Sequence, residues 1–159
     1  MKKITVIALI SFIIDRVTKY FVVTKMEVGE SIEIVENLLY ITSHRNQGAA
    51  WGIFQGKMIF FYAVTGFSLY LFYTIYKEIS KDTFFTYLGI GLVLGGTFGN
   101  FFDRLFFKEV VDFIDCIIPV INYDYPIWNV ADASLLVGVA IVMVIMVMDT
   151  IKENKNGKI

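Results

Sequence analysis

Four stretches of this chain, at about 4–23, 58–76, 84–102 and 127–148, are long enough to cross a hydrocarbon core, which takes roughly 20 residues of helix. No other feature restricts the fold as much. Composition agrees: 57% of the 159 residues are hydrophobic and 18% charged, against about 25% charged in soluble domains. Mean hydropathy is +0.65. One integral membrane domain over 1–159 is expected. With a formal net charge of -1 and no Lys/Arg-rich run, the chain has no footprint for a phosphate backbone, so nucleic acid is not an expected partner.

Four spans put both termini on one side, with a short polar hinge at 77–83 between the second and third. Lys2, Lys3, Lys77, Lys81, Lys152, Lys155 and Lys158 fall on that side, which the positive-inside rule makes cytoplasmic together with 1–3 and 149–159. Met1-Lys2-Lys3 and the apolar run after it resemble a secretory signal, but Asp15-Arg16-Val17-Thr18-Lys19 follows where a small-residue cleavage site would stand. The helix is therefore expected to be retained. The outer segments are then 24–57 and 103–126. The first contains Ser31-Ile32-Glu33-Ile34-Val35-Glu36 and Leu38-Leu39-Tyr40-Ile41-Thr42, partly alternating and β-branched, which predicts short strands at the outer surface. The expected fold is an all-α polytopic membrane protein: four transmembrane helices, a small extracytoplasmic β-sheet and an outer loop.

Within the third span Gly91, Gly95 and Gly99 recur every four residues and predict a smooth stripe where another helix approaches closely. The lone Cys116 and lone His44 give no metal-ligand spacing, so neither a zinc site nor an intrachain disulfide is expected.

Charged residues in such a chain are expensive to bury and therefore informative. Asp15 and Lys19 are spaced to pair across one helical turn, as are Asn100 and Arg104, with Asp103 beside them. His44-Arg45-Asn46-Gln47-Gly48-Ala49-Ala50-Trp51-Gly52 combines hydrogen-bonding side chains with residues small enough for close backbone approach, a candidate wall of a binding groove. Asp112 and Asp132 would form a carboxylate pair if the outer loop folds one back beside the other. Such a pair shares a proton and suits acid–base activation of water on a peptide carbonyl. Asp115 and Asp124 lie in the same loop, so spacing alone does not choose the pair. A small proton- or cation-coupled transporter, relaying through Asp15, Asp112 and Asp132, and a non-catalytic membrane scaffold are the competing readings.

Five ordered motifs carry a resemblance that covers nearly the whole chain: Asp15-Arg16-Val17-Thr18-Lys19; Arg45-Asn46-Gln47-Gly48-Ala49-Ala50-Trp51-Gly52; Gly96 through Asn100 to Asp103-Arg104; Val110-Val111-Asp112-Phe113; and Asn129-Val130-Ala131-Asp132. In these the sequence resembles the bacterial lipoprotein signal peptidases (signal peptidase II). The resemblance implies an intramembrane aspartic endopeptidase with Asp112 and Asp132 as its dyad. It places Asp15, Lys19, Asn46, Gly48, Asn100, Asp103, Arg104, Asn129 and Ala131 in the surrounding substrate-binding and supporting shell. The implied substrates are diacylglyceryl-modified prolipoproteins, cut just before the lipidated cysteine. It further implies a cytoplasmic-membrane location, four helices with an outer β-cradle and the active site toward the outer face, no metal or organic cofactor, membrane lipids as surroundings, and inhibition by the cyclic peptide globomycin. A monomer is expected. Two positions depart from the pattern: Arg16 stands where Gln is common, and Trp51 where Phe is common.

Overall fold

The computed structural model of the chain describes residues 2–49, 53–78, 83–119, 121 and 123–155. Among them are four helices, α1 Lys2–Lys25, α2 Met58–Glu78, α3 Phe84–Phe106 and α4 Val130–Lys155. Four strands accompany them, β1 Ser31–Val35, β2 Leu39–Asn46, β3 Val110–Ile118 and β4 Tyr123–Asp124. Trp51 with its neighbours Ala50 and Gly52, the hinge residues 79–82 and the tail residues 156–159 lie outside the described residues.

Helices α2, α3 and α4 are long and apolar enough to cross a membrane. Helix α1 is equally long but has an inverted section. Its buried residues are Ile4, Ser11, Asp15, Lys19 and Val22, while Leu9, Ile10, Ile13, Val17 and Phe21 are exposed. Ser11, Asp15 and Lys19 follow one another at four-residue spacing, so they share one face. That face points into the bundle and leaves an apolar exterior, the arrangement that a lipid surrounding favours.

Helix α3 is the axis of the molecule, and glycines line two of its faces. A Cβ on Gly91 would lie 2.7 Å from Ile7, and one on Gly95 2.6 Å from Ser11, so the expected stripe receives α1. Toward α4, a Cβ on Gly96 would come within 2.4 Å of the Ala131 carbonyl oxygen, and one on Gly138 within 2.7 Å of the Gly89 oxygen. Ile4, Tyr87, Ile90 and Val142 pack where the three helices meet. Gly96→Ala is expected to lower stability by about 1–3 kcal/mol, since backbone rather than a flexible side chain blocks the new methyl. Gly66, on the open face of α2, has nothing within 4 Å of its Cβ position. Gly66→Ala is expected to be neutral or to stabilise by about 0.5–1 kcal/mol through helix propensity. Denaturation midpoints of the two variants in detergent check the contrast.

The sheet has the order β1-β2-β3-β4, all antiparallel. The strands expected near 31–36 and 38–42 are β1 and β2, and β2 runs further, to Asn46. The segment 103–126, expected as an outer loop, instead holds the last turn of α3, the nine-residue β3 and the short β4. Residues 125–128 then return along β3: Tyr125 N–H donates to the Cys116 carbonyl (3.0 Å), and Trp128 exchanges backbone bonds with Ile114 (2.7 and 3.0 Å). This pairing delays the fourth helix to Val130, where it was expected from about 127. At its other end α4 continues through Lys155, beyond the expected limit of 148. Val22 of α1 packs with Val111 and Phe113 of β3, fastening the sheet to the end of the bundle.

Candidate active site

Asp132 owes its position to a helix start. Asn129 is the residue before α4; its Oδ1 accepts from Asp132 N–H (3.0 Å), and Asp132 Oδ2 accepts from Asn129 N–H (3.2 Å). This reciprocal capping box satisfies two donors that a helix N-terminus otherwise leaves open. The Asn129 side-chain amide has both its hydrogens left to give. One goes to Asp112 Oδ1 (2.5 Å) and the other to Asn100 Oδ1 (3.2 Å). Asn129 is fully buried and has become the hinge pin between the two aspartates.

Asp112 sits on β3, opposite His44 of β2, beside a register shift between Ile41 and His44. Shifts of this kind re-aim side chains next to sites. Asn46, at the end of β2, donates to Asp112 Oδ2 (2.9 Å), while its Oδ1 accepts from Gly48 N–H (2.8 Å) and so shapes the following turn. Asp115 is three residues along β3 and therefore points to the opposite face. There it accepts from Thr42 (2.7 Å), and Asp124 lies exposed on β4. Neither lines the cavity described below.

Burial, and next the charge of Asp132, push the Asp112 carboxyl up to about 6, against the pull of Asn46, Asn129 and Lys19. An unfolded aspartate titrates near 3.9. Between those values the folded chain holds a proton that the unfolded chain releases, so stability falls as pH rises through the window from about 4 to about 6. Asp112→Asn lacks this dependence. Its stability relative to the parent chain is expected to be higher at pH 8 than at pH 4, measured as the difference in denaturation midpoints.

Asn100 of α3 grips the second aspartate, its Nδ2 donating to Asp132 Oδ1 (2.7 Å). Its Oδ1 accepts from Lys19 Nζ (3.0 Å). Lys19 Nζ also meets Asp15 Oδ2 (3.0 Å) and Asp103 Oδ2 (2.8 Å), which accounts for all three ammonium hydrogens at a residue 2% exposed. Asp15 Oδ1 accepts from Ala131 N–H (3.0 Å), tying α1 to the first turn of α4.

Two cavities flank this network. The larger, about 550 Å³, lies between α2, α3 and α4, and Asn46, Asn100, Arg104, Asp112 and Asp132 stand at its polar end. Its other walls are mostly apolar, with Phe61, Val64 and Phe72 of α2 opposite Leu135 and Val139 of α4. Arg104 donates to the Gly48 carbonyl (3.1 Å) and stacks over Phe61 at 4.4 Å. The smaller, about 330 Å³, opens onto Arg16, Lys19, Arg45, Asp103 and Glu109.

Most of the residues expected at the site thus converge, but not all on one wall. Asp103 turns to α1 and away from Asn100 and Arg104, because a step of three along a helix falls about 60° short of a full turn. Gly48 contributes its backbone, and Ala131, fully buried, packs against α3 beside Gly99. Asp15 and Lys19 stand behind Asn100 and do so as a cluster with Arg16. Arg16, noted in the sequence only as a departure, meets Asp103 Oδ1 at 2.5 Å and Asp15 Oδ2 at 2.7 Å. No helical spacing links Arg16 to those partners on one face, so only the α1–α3 packing brings it in. Among the described residues no group of three or more His, Cys, Asp or Glu side chains is arranged to hold a metal ion.

Comparison with known proteins adds two findings. The model of a family described as signal peptidase (SPase) II matches residues 7–148. Two solved structures resemble the chain over nearly its whole length. One, described as a bacterial membrane enzyme structure by the in meso method at 2.3 Å resolution, is 42% identical with a TM-score of 0.80, covering 94% of this chain and 90% of its own. The other, described in the same words at 1.9 Å, is 41% identical with a TM-score of 0.75, covering 92% and 93%.

Proposed function

This chain belongs to the signal peptidase II family of proteases, and on that premise we propose that it is an aspartic endopeptidase that removes signal peptides from diacylglyceryl-modified prolipoproteins, with Asp112 and Asp132 as its dyad. One observation carries the reading: two carboxylates from different elements are joined through Asn129 at the polar end of a cavity whose remaining walls are mostly apolar. A lipid-modified precursor presents the complementary pattern, a peptide bond next to acyl chains.

In the proposed reaction one carboxylate is ionised and the other protonated, a state that belongs to the pair. The ionised one takes a proton from water as the water oxygen bonds to the scissile carbonyl carbon. The protonated one gives its proton toward the departing amide nitrogen as the C–N bond breaks. Asn100, Asn129 and Asn46 hold the carboxylates by amide donors, and Arg104 places a positive charge on the same wall.

We read 1–159 as a single domain with α1 as a fourth span, its polar stripe turned inward. Both termini then face the cytoplasm and the aspartates lie toward the outer leaflet of a bacterial cell membrane. The charged and amide groups named above gather at one end of the bundle, whereas a proton relay needs them spaced along it, which speaks against the transporter alternative. The test is a gel-shift assay of the purified chain on one precursor with and without its diacylglyceryl group, in the presence and absence of globomycin. Cleavage of the lipidated form alone, blocked by globomycin, is the expected result; equal cleavage of both forms would overturn the substrate assignment.

A further inference from the structure

Arg16 is 20% exposed at its side chain, yet both its terminal nitrogens are engaged with carboxylates that are almost wholly buried, Asp15 and Asp103. Its NH2 also reaches the Gly99 carbonyl (3.3 Å), and the guanidinium lies 5.1 Å from the Phe102 ring. Charges in this cluster balance only with Arg16 counted: Asp15 and Asp103 carry two negatives, and Lys19 and Arg16 two positives. Without Arg16 one negative charge would be left uncompensated beside Asn100, where burial makes it expensive.

We propose that Arg16 is a positioning residue for the two aspartates: by sharing Asp15 and Asp103 with Lys19 it balances the two carboxylates, leaves Lys19 a hydrogen with which to hold Asn100, and so sets the charge and the amide geometry that Asp132 and Asp112 meet. Lys19 and the Asn129 amide together fix the orientation of the Asn100 amide, both donating to its Oδ1. With the ammonium on Oδ1, Nδ2 must turn to Asp132. Removing Arg16 strengthens the pull of the two carboxylates on Lys19 at the expense of that bond and adds a net negative charge behind the dyad. The role rests on the peptidase reading above, although its electrostatic consequence does not require cleavage to be seen.

The charged groups facing Arg16 are Asp15 and Lys19 of α1 and Asp103 of α3, with Arg45 of β2 and Glu109 just before β3 on the same small cavity. Those acting on Asp112 are Asp132 of α4 and Lys19 of α1, and Arg104 of α3 stands on the same wall. The experiment is an infrared titration of the Asp112 carboxyl band, identified by its loss in Asp112→Asn, in the full chain carrying Arg16→Gln, Arg16→Lys, or Arg16→Gln with Asp103→Asn. Arg16→Gln is expected to raise the Asp112 midpoint by about 0.5–1 pH unit. Arg16→Lys keeps the charge and is expected to restore most of the parent midpoint. The double variant restores charge balance without the ion pair and is expected to do the same.

Cleavage should follow suit, with the pH profile of Arg16→Gln moving upward with the midpoint and kcat falling about tenfold while KM changes little. A midpoint and a pH profile in Arg16→Gln that coincide with those of the parent chain would overturn the proposal. So would a double variant that leaves a raised midpoint unrestored, because the role would then be structural. If Arg16→Gln fails to fold, the double variant decides alone, a parent-like midpoint supporting the charge argument and a displaced one refuting it. Absence of cleavage by the parent chain would sink the peptidase reading and leave the infrared series to judge Arg16.

Discussion

Asp132→Asn is expected to lower the rate of precursor cleavage by about 10³-fold while leaving the helices and the sheet intact. The carboxamide keeps one acceptor oxygen for Asn100 or for the Asn129 N–H, so the structural loss is about one hydrogen bond, roughly 1 kcal/mol. What disappears is the second titratable group of the pair. Asp112→Asn is expected to have the same effect on rate, because a dyad works only when one member can take the proton and the other can give it. The measurement is single-turnover cleavage of a lipidated precursor at several pH values, with folding followed by circular dichroism. A rate within tenfold of the parent chain in either well-folded variant would remove that residue from the dyad.

Lys19→Met is expected to be the most damaging change to stability. Lys19 is 2% exposed and serves Asp15, Asp103 and Asn100 at once. Its removal leaves two buried carboxylates to Arg16 alone. Breaking a buried pair by deleting one partner costs about 3–5 kcal/mol, since an uncompensated charge remains behind. Asn100 also loses one of the two donors that fix its amide, so cleavage should fall even in the molecules that fold. Lys25→Met, at the exposed end of α1, serves as the control and is expected to stay within about 0.5 kcal/mol of the parent chain. Thermal unfolding in the same detergent compares them, and similar midpoints for both variants would show that the cluster contributes little.

Helices α2, α3 and α4 were readable because bilayer-length apolar runs leave little ambiguity, and the stripe of Gly91, Gly95 and Gly99 announced its role by spacing. Gly96 and Gly138 announced nothing, since a close approach to α4 depends on where α4 packs. Strand β3 was hidden for a different reason. Val110, Val111, Asp112 and Phe113 are all buried, so the strand that carries Asp112 lacks the alternation by which β1 betrays itself. The capping box of Asn129 and Asp132 was legible in principle as two polar residues three apart at a helix start. Its further link to Asp112 was not, because it arises from the return of 125–128 along β3. Spacing could not prefer Asp112 over Asp115 or Asp124; in the fold Asp112 lines the larger cavity, whereas Asp115 lies on the other face of β3 and Asp124 is exposed on β4.

Whether this chain cuts a lipidated precursor by means of its two aspartates can be read from the mass of the products. Purified protein is incubated with a diacylglyceryl-modified prolipoprotein, alongside Asp132→Asn, and both fragments are analysed by mass spectrometry. A mature fragment beginning at the lipidated cysteine, with its free signal peptide, formed by the parent chain and not by the variant, is the predicted result. Cleavage at another bond, or the same products from Asp132→Asn, would rule out removal of the signal peptide by this pair of aspartates.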